Sequence, residues 1–63
     1  MTIYEINYRN RLEQMLDTII RKYGHEHRVT IFFAGLVDKY INVANYHNRE
    51  TMEKYFKKFI KNA

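Results

Sequence analysis

Apolar side chains recur along this chain at steps of three and four residues, and that period limits what it can become more than any other feature. Tyr8, Leu12, Met15, Leu16, Ile19, Ile20 and Tyr23 form one such stripe. An α-helix turns once in 3.6 residues, so side chains spaced in this way share a face that has to be buried. Thr2 stands before the stripe with Glu5 three residues on, the reciprocal pair that caps a helix start. Gly24 closes it, because glycine reaches the backbone conformations that end helices. A first helix is predicted over about residues 2–23.

The next segment carries two conflicting signals. Val29, Thr30, Ile31, Phe32 and Phe33 are β-branched or aromatic and taken alone read as a strand. Extended further, Val29, Phe32, Phe33, Leu36, Val37 and Tyr40 follow i, i+3, i+4, i+7, i+8 and i+11, which the alternation of a strand does not produce. The period predicts a second helix over about 26–41, with an α-β-β-α arrangement as the alternative. Residues 42–47 have no clear period and read as a loop, and Asn48 reads as the cap of a third helix over about 48–61. Met52, Tyr55, Phe56, Phe59 and Ile60 supply its apolar face. The expected fold is all-α, a helical hairpin plus a third helix, with residues 1–63 in a single domain.

With 63 residues, the chain buries a smaller share of its surface than a typical domain, and without cysteine no disulfide can compensate. Its hydrophobic fraction of 46% is nevertheless too high for a disordered segment. Self-association is the remaining source of stability, so a dimeric bundle is the first expectation. Gly35 supports it, since a glycine inside a helix costs about 1 kcal/mol relative to alanine and usually has a packing reason. Ile31, Ala34 and Gly35, with Asp38 near their end, form a ridge off the main stripe that a second copy could cover. Coverage by the first or third helix of the same chain is the alternative. Ile3 and Ile6 also fall off the stripe and could extend an interface.

The formal net charge of +4 gives the chain a field that attracts anions. Lys54, Lys57, Lys58 and Lys61 repeat at helical spacing opposite the apolar side of the third helix, as a basic stripe that could track phosphates or simply face solvent. Arg21, Lys22, Tyr23, His25, His27 and Arg28 crowd the first break, a candidate ligand or anion site whose ordinary alternative is a solvated corner. Tyr46, His47 and Arg49, around Asn48, form a candidate partner loop. Of the six tyrosines, Tyr8, Tyr23, Tyr40 and Tyr55 lie on stripe positions, whereas Tyr4 and Tyr46 suit the surface. The lysine stripe contains no arginine, which nucleic-acid readers favour for bidentate contacts, and the second break is longer than that of a helix-turn-helix.

Catalytic signatures are missing. There is no Ser or Cys, and Gly24 and Gly35 are the only glycines, so no phosphate-cradling loop can form. His25 and His27 are two residues apart and would share a metal only if extended, with His47 as a distant third. No metal, cofactor or enzymatic activity is therefore expected. The leading expectation is a small interaction protein, an adaptor, regulator or inhibitor that docks on a protein partner as a homo-oligomer. In size and charge balance it is of the type found among phage and mobile-element proteins, a likeness that no particular residue carries. Nucleic-acid binding through the basic stripe is one alternative, and sequestration of a small nucleotide-like anion between subunits is another. The run Val29–Val37 is about half the ~20 apolar residues of a membrane span and no secretory signal is visible, so no membrane association and a cytoplasmic location are expected.

Overall fold

The computed structural model describes residues 1–61 and builds them into three helices: α1 (Ile3–Tyr23), α2 (Arg28–Tyr40) and α3 (Tyr46–Lys61). The start of α1 is locked by its own sequence. The Glu5 amide donates to Thr2 Oγ1 at 3.1 Å and the Thr2 amide donates to Glu5 Oε1 at 3.0 Å, which completes the capping box. The Thr2 amide, joined by the Thr2 hydroxyl donating to the same oxygen at 3.0 Å, holds the Glu5 carboxyl below its usual value. At the other end Gly24, at φ 92°, donates its amide to Ile20 O at 2.7 Å.

Residues 29–33 are helical, which overturns the α-β-β-α alternative; no strand is present among the described residues. Burial decides between the two signals. Thr30, Phe33 and Val37 point inward together only on a helix, and β-propensity yields to that packing. α2 starts at Arg28, two residues later than expected, because His27 takes the capping position and its Nδ1 accepts the Val29 amide at 3.0 Å. The buried Thr30 hydroxyl is satisfied by donating to Gly24 O at 2.6 Å.

α3 begins two residues earlier than expected, at Tyr46. Asn45 is the residue that organises its start: its Oδ1 accepts the Asn48 amide at 2.8 Å and its carbonyl accepts the Arg49 amide at 3.1 Å. The Asn48 side chain instead donates to Val43 O at 2.8 Å and folds the preceding turn onto the helix.

The helices run up, down and up around one core. α1 supplies Tyr8, Leu12, Met15 and Ile19, α2 supplies Phe33 and Val37, and α3 supplies Met52. Burying each such side chain stabilises the fold by about 1.5–3 kcal/mol before chain entropy is counted. Polar ties then fix how α1 sits on its partners. The Tyr8 hydroxyl donates to Tyr40 O at the end of α2, and the Tyr23 hydroxyl and Lys22 Nζ donate to the last carbonyls of α3. Arg11 forks onto Glu53 at 2.8 and 2.9 Å while its guanidinium lies 5.2 Å from the centre of the Phe56 ring. Among the described residues, no buried side-chain nitrogen or oxygen lacks a hydrogen-bond partner.

Candidate docking surfaces

The cluster around the first break is divided among internal tasks. Lys22 Nζ donates to Phe59 O at 2.9 Å and Ile60 O at 2.7 Å, and the Tyr23 hydroxyl donates to Phe59 O at 2.6 Å. Both side chains therefore satisfy carbonyls at the negative end of α3. His27 caps α2, and its ring lies 4.8 Å from that of Tyr23. Arg21 pairs with Asp17 at 3.0 Å along α1. His25 and Arg28 are exposed. Six residues that look convergent in sequence are thus turned in several directions. His47 lies away from the other histidines in the first turn of α3, and among the described residues no group of three or more His, Asp or Glu is close enough to hold a metal ion.

The lysine stripe keeps the geometry that its spacing predicts. Lys54, Lys57, Lys58 and Lys61 are exposed on the side of α3 away from Met52. Lys54 makes only a long contact of 4.0 Å with Glu50, which in a solvated pair contributes little. Beside the stripe runs an open cleft of about 250 Å³ lined by Thr51, Lys54, Tyr55 and Lys58. The Tyr55 ring forms its apolar floor and is held from behind by Phe32 and Phe59 at 5.7 and 6.4 Å. A second, wider cleft on α1, lined by Asn10, Glu13, Gln14 and Asp17, has the opposite electrostatic character.

The outer side of α2 is apolar where a solvated helix would be polar. Ile31 is 63% exposed and Phe32 48% exposed, Gly35 and Asp38 lie open, and Ala34 is half-buried. Phe32 belongs to the sequence stripe, yet it sits at its edge, with its ring against Tyr55 and Phe59 and the rest in solvent. A Cβ added at Gly35 would meet nothing within 4 Å. Neither α1 nor α3 therefore approaches that glycine, and no contact within the chain requires it.

Tyr46 and His47, expected in the loop before α3, stand with Arg49 on its first turn instead, because Asn45 rather than Asn48 starts that helix. Tyr46 is 75% exposed, and the hydrogen bond from its hydroxyl to Glu50 pushes the phenol above its usual value. Tyr4 is exposed as well, whereas Tyr8, Tyr23, Tyr40 and Tyr55 are buried or half-buried as their stripe positions imply. The Arg11 to Glu53 fork and the buried Thr30 escaped the sequence reading. An arginine on the stripe's flank was the only sign of the first, and a threonine in line with Phe33 and Val37 the only sign of the second.

No family model matches this chain, and no curated protein or solved structure matches it either. Among the described residues, no helix is long and apolar enough to cross a membrane.

Proposed function

We propose that the chain is a small, non-enzymatic, cytoplasmic interaction protein, an adaptor, regulator or inhibitor that docks on an acidic protein surface through α3. The observation that carries this reading is the lysine face beside the cleft floored by Tyr55. Lysines of one sign draw the partner in and set its orientation, while an aromatic floor supplies the desolvated anchor that such a rim lacks by itself. Tyr46, at the opposite end of the same helix, extends the contact with a second exposed aromatic side chain.

A polyanion is the second reading, favoured by the same lysine spacing. Phosphates would be tracked by Lys54, Lys57, Lys58 and Lys61, with affinity falling steeply as salt rises. Sequestration of a small anion at the first break has less support, since Lys22, Tyr23 and His27 already serve α2 and α3.

The test is capture from the native host at low salt with the wild type and with the Lys54→Glu/Lys58→Glu double variant, each with and without nuclease. A protein retained by the wild type, lost by the variant and indifferent to nuclease is the expected result. Nuclease-sensitive retention would transfer the function to nucleic acid. Equal retention by both proteins would overturn the role of α3.

A further inference from the structure

We propose that the partner presents an acidic amphipathic helix, which lies along the seam between α2 and α3 with its apolar side chains on Phe32 and Tyr55 and its carboxylates on cations of both helices. This rests on the reading of α3 as a docking face and extends it to α2, which that reading does not use.

The period of α2 lays out the second half of the surface. Arg28, Phe32, Gly35 and Lys39 follow i, i+4, i+7 and i+11, so at about 100° per residue they share a strip about 60° wide and about 17 Å long. All four are exposed. The strip borders α3, because the Phe32 ring meets those of Tyr55 and Phe59 at 5.7 and 6.0 Å. Tyr55 is also the floor of the cleft lined by Thr51, Lys54 and Lys58. The rings of Phe32 and Tyr55 therefore make one aromatic floor that crosses from α2 to α3. A Cβ at Gly35 would meet nothing within 4 Å, so nothing of the described chain covers the strip at that point.

Charge complementarity identifies the occupant. Arg28 and Lys39 stand at the two ends of the strip, and neither makes an ion pair among the described residues. Lys54 and Lys58 line the α3 side. The carboxylates of these two helices are directed elsewhere or lie to one side. Glu53 forks with Arg11 of α1, Glu50 accepts from Tyr46 and keeps only the 4.0 Å contact with Lys54, and Asp38 lies about 90° around α2 from the middle of the strip. Four cations around two partly exposed rings attract a carboxylate-bearing segment and give it an apolar anchor. A helix of about three turns matches the length of the strip, and an amphipathic helix docks in such a seam through its one apolar face.

The test titrates the full chain, at low salt, into a fluorescently labelled synthetic helix with leucine at three- and four-residue steps and glutamate on its other faces, and reads anisotropy. The wild type is expected to bind saturably. Arg28→Glu/Lys39→Glu should weaken binding about tenfold at unchanged helicity, and replacing the leucines of the peptide by alanine should do the same. Binding weakened by Lys54→Glu/Lys58→Glu but not by Arg28→Glu/Lys39→Glu would overturn the seam and leave docking through α3 standing. Binding that survives both double variants would overturn the reading of α3 as well. Equal binding of the alanine peptide would remove the aromatic floor from the account. A wild type that binds neither peptide would overturn the helical occupant, and tighter binding of an oligothymidylate than of the leucine peptide would assign the surface to nucleic acid.

Discussion

The Tyr8 hydroxyl, inside the core near the start of α1, donates to the carbonyl of Tyr40 at the last turn of α2 at 2.6 Å. The same helix repeats the device at its other end, where Tyr23 reaches Phe59 O at the last turn of α3. α1 therefore closes the carbonyl ends of both other helices with its own tyrosines, which ties capping to tertiary packing. Tyr8→Phe should cost about 1–2 kcal/mol, since it leaves the Tyr40 carbonyl with only the long 3.3 Å contact from the Val43 amide while the ring still fills the core. Tyr23→Phe should cost less, because Lys22 Nζ also donates to Phe59 O. Urea midpoints measured with an unchanged slope would show this order.

The same contacts set the pH range of the fold. The hydrogen bond from Arg11, more than any other influence, holds the Glu53 carboxyl below its usual value. The folded chain keeps Glu53 ionised at a pH where the unfolded chain already binds the proton. Its contribution is complete above the ordinary carboxylate value and is lost as pH falls through the lowered one. Burial raises Tyr8 above the ordinary phenol value, so its contribution is complete below that value and is lost as pH rises through the raised one. Thermal unfolding should therefore show a plateau with an acid and an alkaline shoulder. Glu53→Gln should flatten the acid shoulder and Tyr8→Phe the alkaline one.

Thr30 sits among apolar neighbours with its hydroxyl committed to Gly24 O at 2.6 Å. Thr30→Val keeps the shape and removes the donor, and should cost about 1 kcal/mol or more. Thr30→Ser keeps the donor and gives up a buried methyl, which should cost a similar amount. If the valine variant were as stable as the wild type, the hydrogen bond would contribute nothing at the α1 to α2 corner.

The helical period exposed most of this fold in advance because burial follows it closely: Leu12, Met15, Ile19, Phe33, Val37 and Met52 are all stripe residues and all buried. The starts of α2 and α3 were less legible than that of α1. His27 and Asn45 won the capping positions through side-chain geometry that spacing does not encode, and that moved Tyr46 and His47 from a loop onto α3. The basic cluster misled for a related reason. Lys22 and Tyr23 are adjacent to His25 in sequence, but they turn toward carbonyls of α3 that lie far along the chain. The lysine stripe depends only on one helix's own period, and its four residues are exposed along α3 as that period predicts.

Gly35→Ala tests whether the single chain needs glycine at this position. At concentrations low enough to keep copies apart, the added methyl meets nothing within 4 Å and should raise stability by about 0.5–1 kcal/mol. Gly35→Leu should leave the fold intact as well. A destabilised alanine variant at low concentration would mean that glycine serves the single chain after all.

Native mass spectrometry of the protein taken directly from its host cells tests the docking function most directly, because one spectrum reports both the number of copies and whatever they hold. The expected spectrum is the chain bound to an acidic protein that dissociates as salt is raised. The chain alone at every salt concentration would contradict docking through α3.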